Sequence, residues 1–100
     1  MTRAHWPVAT AELTHARLTL DIAQYLRLAG WFVMVLPRGG VKGEPGAPDI
    51  QAFRSHRAVF IECKVGRDKL SADQERVRES VTAQGFEFIE ARSLDDAMIL

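Results

Sequence analysis

The sequence contains a single cysteine, carries no formal net charge and has no long hydrophobic run. One cysteine excludes an internal disulfide, so nothing in the chain demands an oxidising compartment. The longest apolar run, Trp31 to Leu36, has six residues, whereas a membrane-spanning helix needs roughly 20. The first sixteen residues also contain no apolar segment typical of a signal peptide. We therefore expect a soluble, cytoplasmic protein.

A net charge of zero argues weakly against nucleic-acid binding, which depends on lysine and arginine side chains that displace counterions from phosphates. The distribution of charge is more informative than the total. Between Arg38 and Lys69 the chain has seven basic residues and only four acidic ones. If two or three of those acids bound a divalent cation, this region would become distinctly positive.

The chain also lacks internal repeats, low-complexity tracts and any segment typical of a domain linker. Its 100 residues are 47% hydrophobic, an ordinary composition for a globular protein. We expect one domain over residues 1–100. Because so short a chain buries only a modest core, dimerisation is a plausible source of further burial.

The hydrophobic pattern predicts an α/β fold with the element order α-β-β-β-α-β-α. Apolar residues at helical spacing predict a first helix from about Ala9 to Ala29, which Gly30 ends. Trp31 to Leu36 is short and rich in β-formers, which predicts a buried strand. Residues 37–48 hold three of the four prolines and four of the seven glycines, so they form a loop. Further strands are predicted over 49–53, 58–65 and 86–91, a second helix over 72–84, and a short helix after Ser93.

The third predicted strand carries two charged residues on one face. Side chains alternate along a strand, so Ile61 and Cys63 face the core while Glu62 and Lys64 share the opposite face. An acid and a lysine are costly to bury unless they are paired or bind a metal. This cost makes Glu62 and Lys64 candidate functional residues, although an exposed strand face with incidental charges is the alternative.

A carboxylate on the neighbouring strand is predicted to join this pair. A hairpin turn over residues 54–57 brings Asp49, at the start of the second strand, near the end of the third. Asp49 and Glu62 would supply the oxygen ligands that Mg²⁺ prefers, and Lys64 could orient an attacking water or stabilise developing charge. The alternative for Asp49 is a turn-capping role after Pro48.

Several motifs then point to a known family. Gly46-Ala47-Pro48-Asp49, a gap of twelve residues and Glu62-Cys63-Lys64 resemble the PD-(D/E)XK nuclease signature. Three further segments are similar to the VRR-NUC (virus-type replication-repair nuclease) family, and the resemblance extends from about Glu12 to Ala97. These segments are Leu70-Ser71-x-x-Gln74, the helix end Tyr25 to Gly30, and the late stretch Ala91 to Ala97.

The resemblance implies a restriction-endonuclease-like core with a mixed central sheet and Mg²⁺- or Mn²⁺-dependent cleavage of DNA. It implies that Asp49, Glu62 and the Cys63 main-chain carbonyl bind the metal, that Lys64 is catalytic, and that Gln74 lies near the site. Stand-alone members of this size look like homodimeric resolvases of branched DNA such as four-way (Holliday) junctions. A two-fold axis suits a substrate that needs two cuts.

The sequence departs from the family at one position. A glutamate is usual in the first helix where this chain has His15. Either Glu12, one turn earlier on the same face, replaces it, or His15 is a softer ligand, or the ligand is missing. For His15 itself, a solvated helix histidine is the favoured interpretation. The number of metal ions therefore stays open.

Other residues have weaker functional claims. Gln74 is also the third residue of a capping box that begins at Ser71, and both roles can hold at once. Cys63 is expected to point into the core and to be inert. The predicted contacts to the DNA backbone are Arg38, Lys42, Arg67 and Lys69.

Three alternatives to a junction endonuclease stay open. The first is an endonuclease that acts on linear duplex DNA. The second is a catalytically impaired DNA-binding module of the same fold, and the third is a structural or protein-interaction domain.

Overall fold

A computed structural model describes residues 13–37 and 43–100 of the chain. The element order confirms the predicted alternation of helices and strands. The elements are α1 (His15–Leu28), β1 (Phe32–Val35), β2 (Ile50–Arg54), β3 (Arg57–Cys63), α2 (Ala72–Ala83), β4 (Glu87–Ala91) and α3 (Leu94–Met98). No helix within these two stretches is long and apolar enough to cross a membrane.

The four strands form one mixed sheet in the order β1-β2-β3-β4. The first two pairings are antiparallel, whereas β3 and β4 run parallel and are joined through α2. Between β2 and β3, Ser55 and His56 both have positive φ, at 51° and 66°. Two left-handed residues in succession are typical of a tight hairpin turn whose twist matches the strands. This turn fixes the register of the hairpin that carries the candidate site.

The core lies between α1 and one face of the sheet. Leu18, Ile22 and Leu26 recur at helical spacing along α1 and are fully buried against the sheet. The sheet contributes Ile50 and Ile61 from adjacent strands to the same cluster. Such apolar side chains contribute about 1.5–3 kcal/mol each when fully buried, so α1 is held firmly against the hairpin.

The first helix begins later than its hydrophobic pattern predicted. Among the described residues, Leu13 and Thr14 precede the helix, which starts at His15 and not near Ala9. The Thr14 side chain accepts a hydrogen bond from the Arg17 main-chain N–H at 3.1 Å and so caps the first turn. The apolar spacing continued through this cap, which is why the pattern placed the start too early.

The prediction that the first strand is buried was wrong. Phe32 and Met34 of β1 are 64% and 45% exposed, and only Val33 of this strand is buried. β1 is an edge strand. At the opposite edge of the sheet, α2 lies against β4. An apolar run of this length does not reveal whether both faces of its strand are covered.

Candidate functional site

The start of β2 and the end of β3 meet at the end of the hairpin opposite its turn. The antiparallel register pairs Ile50 with Ile61, so Asp49 and Glu62 come next to each other. The first residue of α1, His15, reaches the same place. One ligand atom from each of His15, Asp49 and Glu62 lies within 4.8 Å of the other two. This is the proximity of the two acids that the sequence predicted, with a histidine added.

Asp49 binds both neighbouring elements through one oxygen. Its Oδ2 accepts a hydrogen bond from the Cys63 main-chain N–H at 2.9 Å and lies 3.0 Å from His15 Nε2. A carboxylate only accepts, so Nε2 carries the proton in this contact. Asp49 thus links β3 to the N-terminal turn of α1, well beyond the turn-capping role that was the alternative for it.

The interpretation of His15 as a solvated helix residue was wrong. Its side chain is only 18% exposed and lies against Asp49. The Thr19 hydroxyl, one turn later and buried, donates to the His15 main-chain carbonyl at 2.9 Å. The same oxygen lies 3.5 Å from His15 Nδ1. Both ring nitrogens of His15 therefore face a specific group of this chain.

Glu62 is 3% exposed, and its two oxygens have different surroundings. Oε2 accepts from Gln74 Nε2 at 2.9 Å and lies 3.8 Å from Lys64 Nζ. Within the described parts of the chain, Oε1 is buried and no group donates to it. Burial, and after it the charge of Asp49, raise the pKa of Glu62 to about 8 against the opposing effect of Lys64. Near neutral pH, the two acids therefore resist being ionised together unless a cation lies between them.

Gln74 has both of the roles that the sequence left open. Its side-chain carbonyl accepts from the Ser71 main-chain N–H at 2.8 Å, while the Ser71 hydroxyl accepts from the Gln74 main-chain N–H at 3.1 Å. This reciprocal pair is a capping box at the start of α2. The amide nitrogen of the same side chain points the other way and donates to Glu62. The start of α2 is thereby tied to the candidate site.

Gly46 allows the loop before Asp49 to pack on the first turn of α2. Its φ is +81°, and a Cβ atom there would lie 2.5 Å from the Asp73 carbonyl carbon and 2.9 Å from the Gln74 main-chain nitrogen. Real Cβ atoms do not approach backbone so closely, and positive φ disfavours residues with a side chain. This close approach brings the segment that carries Asp49 to the helix that carries Gln74.

Arg92 supports the loop between β3 and α2. Its guanidinium donates to the main-chain carbonyls of Gly66 and Asp68 at 3.2 and 2.5 Å and pairs with Glu90 at 2.6 Å. Arg67 and Lys69, predicted to contact DNA, are exposed on this loop. The other predicted contacts, Arg38 and Lys42, and the alternative ligand Glu12 lie outside the described residues.

Arg92 and Thr19 were not predicted from the sequence. Arg92 acts on carbonyls more than twenty positions away, so no local pattern signals it. Thr19 had a weak signal, because it follows His15 by one helical turn and therefore shares its face. Cys63 is fully buried, as predicted, and burial raises the pKa of its thiol to about 11, which keeps it protonated and unreactive.

This donor set fits a divalent cation. Two carboxylates and an imidazole converge, one carboxylate oxygen is buried without a donor in the described structure, and a cation would relieve the repulsion between the acids. Lys64 adds a mostly buried ammonium group beside Glu62. His15, Asp49 and Glu62 thus form a potential metal-binding cluster.

Comparisons with known proteins address the fold. No family model matches the sequence, and no curated protein matches it. A solved structure described as a "VRR_NUC domain" is similar with a TM-score of 0.69 and 22% sequence identity, covering 86% of this chain and 91% of that one. At 22% sequence identity, this similarity establishes the fold alone. The chain therefore has a VRR-NUC-like α/β fold, as its motifs predicted.

Proposed function

We propose that this chain is a metal-dependent endonuclease that hydrolyses phosphodiester bonds in DNA. The observation that carries the proposal is the convergence of His15, Asp49 and Glu62 within 4.8 Å, with Lys64 Nζ 3.8 Å from Glu62. The VRR-NUC-like fold supports it, because the solved structure that shares this fold is described as a "VRR_NUC domain", the name of the nuclease family that the sequence motifs resemble.

Asp49 and Glu62 would hold a Mg²⁺ or Mn²⁺ ion, together with the Cys63 main-chain carbonyl. The N–H and C=O of one strand residue point to the same side, so the Cys63 carbonyl is expected to face Asp49, to which its N–H donates. When bound, the ion would neutralise charge on a phosphate and make a bound water more acidic. Glu12 stays a candidate ligand named from the sequence alone.

Lys64 would stabilise the charge that develops on the phosphate or orient the attacking water. Its ammonium group is mostly buried and lies beside a carboxylate that Gln74 fixes from the other side. A group held in place before the reaction stabilises developing charge without reorganisation. Gln74 would act by orienting Glu62, through the hydrogen bond that joins them.

The DNA backbone would lie across the loop between β3 and α2. Arg67 and Lys69 are exposed there, and Arg92 holds the loop in position. Arg38 and Lys42 would add contacts from the loop before β2. Phosphate contacts of this kind make affinity fall steeply with salt, which gives a simple test of the surface.

The test is incubation with a labelled four-way junction and with its linear arms, with and without Mn²⁺. We expect cleavage only with the divalent ion, and faster cleavage of the junction. Asp49→Asn keeps an acceptor for the Cys63 N–H but loses the charge, so it should bind DNA without cutting it. Asp95→Asn, on the exposed side of α3, is the matched control and should cut normally. Equal rates on both substrates would favour a nuclease for linear duplex DNA.

A catalytically impaired DNA-binding module is the second candidate, and His15 in place of the usual glutamate is the observation that favours it. DNA binding without cleavage under any divalent ion would establish this alternative. A domain without salt-dependent DNA affinity would instead be an interaction module.

We also propose that the chain acts as a homodimer. The exposed apolar face of β1, with Phe32 and Met34, offers surface that a second subunit could cover. Light scattering across a range of protein concentrations tests this, and a monomer at every concentration would contradict it.

A further inference from the structure

We propose that the site selects a first-row transition ion, with Mn²⁺ as its probe, over Mg²⁺, because His15 Nε2 is a ligand and Thr19 stabilises the ring in its metal-bound form. The inference rests on the metal site of the proposed function and deepens it. It concerns binding of the metal alone, so it can be tested without any DNA substrate.

The His15 side chain already lies where it could bind a cation together with the two acids. Its Nε2 lies 3.0 Å from Asp49 Oδ2 and belongs to the cluster that contains Glu62. It stands at the first residue of α1, whose start Thr14 caps and whose buried face packs on the sheet. The three candidate ligands thus come from α1, from the residue before β2 and from β3. A cation would take the place of the proton now shared by Nε2 and Asp49.

Thr19 favours the form of the His15 ring that leaves Nε2 free for a metal. The hydroxyl has one proton, and that proton goes to the His15 main-chain carbonyl at 2.9 Å. Its oxygen can then only accept from the ring, so the contact at 3.5 Å becomes a hydrogen bond only when Nδ1 carries the proton. Without a cation the ring proton lies on Nε2 and faces Asp49; when a cation binds at Nε2, the proton would move to Nδ1, where Thr19 can accept it. Residues that hold the second nitrogen of a ligating histidine typically change metal affinity by about 10- to 100-fold.

The chemistry of the ligands then decides the ion. Mg²⁺ strongly prefers oxygen and retains several waters. Imidazole suits the later first-row ions such as Fe²⁺, Ni²⁺ and Zn²⁺ best, and affinity for a mixed nitrogen and oxygen site is lowest for Mn²⁺ and rises along that series, so Mn²⁺ is the most stringent probe. A glutamate at position 15 would make the side-chain ligands all oxygen, whereas His15 makes them mixed. The histidine therefore changes the preference of the site as well as its charge.

The experiment is calorimetric titration of the metal-free full chain with MnCl₂ and, separately, with MgCl₂. Mn²⁺ binds many oxygen sites somewhat better than Mg²⁺, so the diagnostic quantity is how the ratio of the two affinities changes between variants. We expect His15→Glu to lower the ratio about tenfold or more, chiefly by strengthening Mg²⁺ binding. His15→Gln, which adds no third acid, should lower it by weakening Mn²⁺ binding. His56→Gln, at an exposed histidine in the hairpin turn, is the control and should leave the ratio unchanged.

The role of Thr19 is tested by an isosteric pair of variants. Thr19→Val keeps the volume but removes the hydroxyl, and it should weaken Mn²⁺ binding about tenfold or more while changing Mg²⁺ binding less. Thr19→Ser restores the hydroxyl and should restore Mn²⁺ binding. The ¹⁵N shifts of the His15 ring in the Mn²⁺-free, Zn²⁺-loaded protein should show a protonated Nδ1 in the wild type and in Thr19→Ser.

An unchanged affinity ratio in both His15 variants would overturn the proposal, as would wild-type Mn²⁺ binding in Thr19→Val. Far-ultraviolet circular dichroism of every variant identifies any that fails to fold, and the remaining variant at the same position then decides. If the wild type shows the expected selectivity but cuts no DNA, the nuclease function fails while the inference about the metal stands.

Discussion

The two ends of the β2–β3 hairpin use charge in opposite ways. At the turn, Arg57 forms a two-pronged ion pair with Glu87, and Arg54 donates to the Ala29 carbonyl at 2.6 Å. Both guanidinium groups lie about 5 Å from the centre of the buried Trp31 ring. Each of these charges is exposed and has a partner, so this end of the hairpin fastens the fold.

The opposite end of the hairpin concentrates unfavourable electrostatics. Two acids lie side by side, and Glu62 is buried with its pKa raised to about 8 by that burial. The buried core between α1 and the sheet stabilises the fold against this cost. Perturbed pKa values of this kind cluster at functional sites. The comparison therefore separates residues that stabilise the hairpin from residues that would bind a ligand there.

The largest expected effect is on catalysis at the acidic end. Lys64→Met keeps the aliphatic stem but removes the charge, and it should lower the cleavage rate about 100-fold or more. Thermal stability should change little, because the 3.8 Å between Lys64 Nζ and Glu62 Oε2 is too long for a hydrogen-bonded ion pair. Single-turnover cleavage and a melting curve on the same sample measure both. A variant that cuts normally would remove Lys64 from the mechanism.

The next effect is structural, at the same end. Gly46→Ala forces a side chain into a positive-φ position against the backbone of Asp73, so we expect a loss of about 2–4 kcal/mol in the free energy of unfolding. Gly66→Ala, also at positive φ but with open space around it, is the matched control and should lose about 1 kcal/mol. Equal losses in urea unfolding would show that the close approach to α2 contributes nothing.

A third expectation concerns pH. Because the folded-state pKa of Glu62 is raised from 4.5 to about 8, folding takes up a proton between these values. The contribution of Glu62 to the stability of the metal-free protein is therefore fully present below about pH 4.5 and is lost as the pH rises through 8. The melting temperature of the wild type should therefore fall as the pH rises towards 8. In Glu62→Gln this fall should be smaller by several degrees. A saturating divalent ion should also oppose it, since a ligand of the folded state stabilises that state.

The smallest effect is expected at the turn. Arg57→Met breaks an exposed ion pair, for which the loss is about 1 kcal/mol or less, and it should leave cleavage and metal affinity unchanged. A large loss of cleavage in this variant would contradict the division between the two ends. A chemical denaturation curve and one cleavage rate are sufficient.

The element order and the meeting of Asp49 with Glu62 were predictable because they depend on local rules, whereas the mixed sheet was implied by the family resemblance. Side-chain alternation put Glu62 on the face of the sheet opposite to that of Ile61. The hairpin turn fixed which residues pair across β2 and β3. The contact of His15 with Asp49 joins residues 34 positions apart and depends on how α1 docks on the sheet. No pattern in the sequence encodes that docking, and the same holds for the exposure of β1.

The Gln74 side chain accepts a hydrogen bond at the start of α2 and donates one to Glu62. A glutamate at this position could do only the first. Helix caps of this type accept glutamate as readily as glutamine, but a glutamate here would set a third negative group against Glu62 and could not donate to it. The amide is thus the residue that satisfies helix and site together. Gln74→Glu should leave the start of α2 intact and yet displace Glu62, so a change of one atom, nitrogen to oxygen, would separate folding from function.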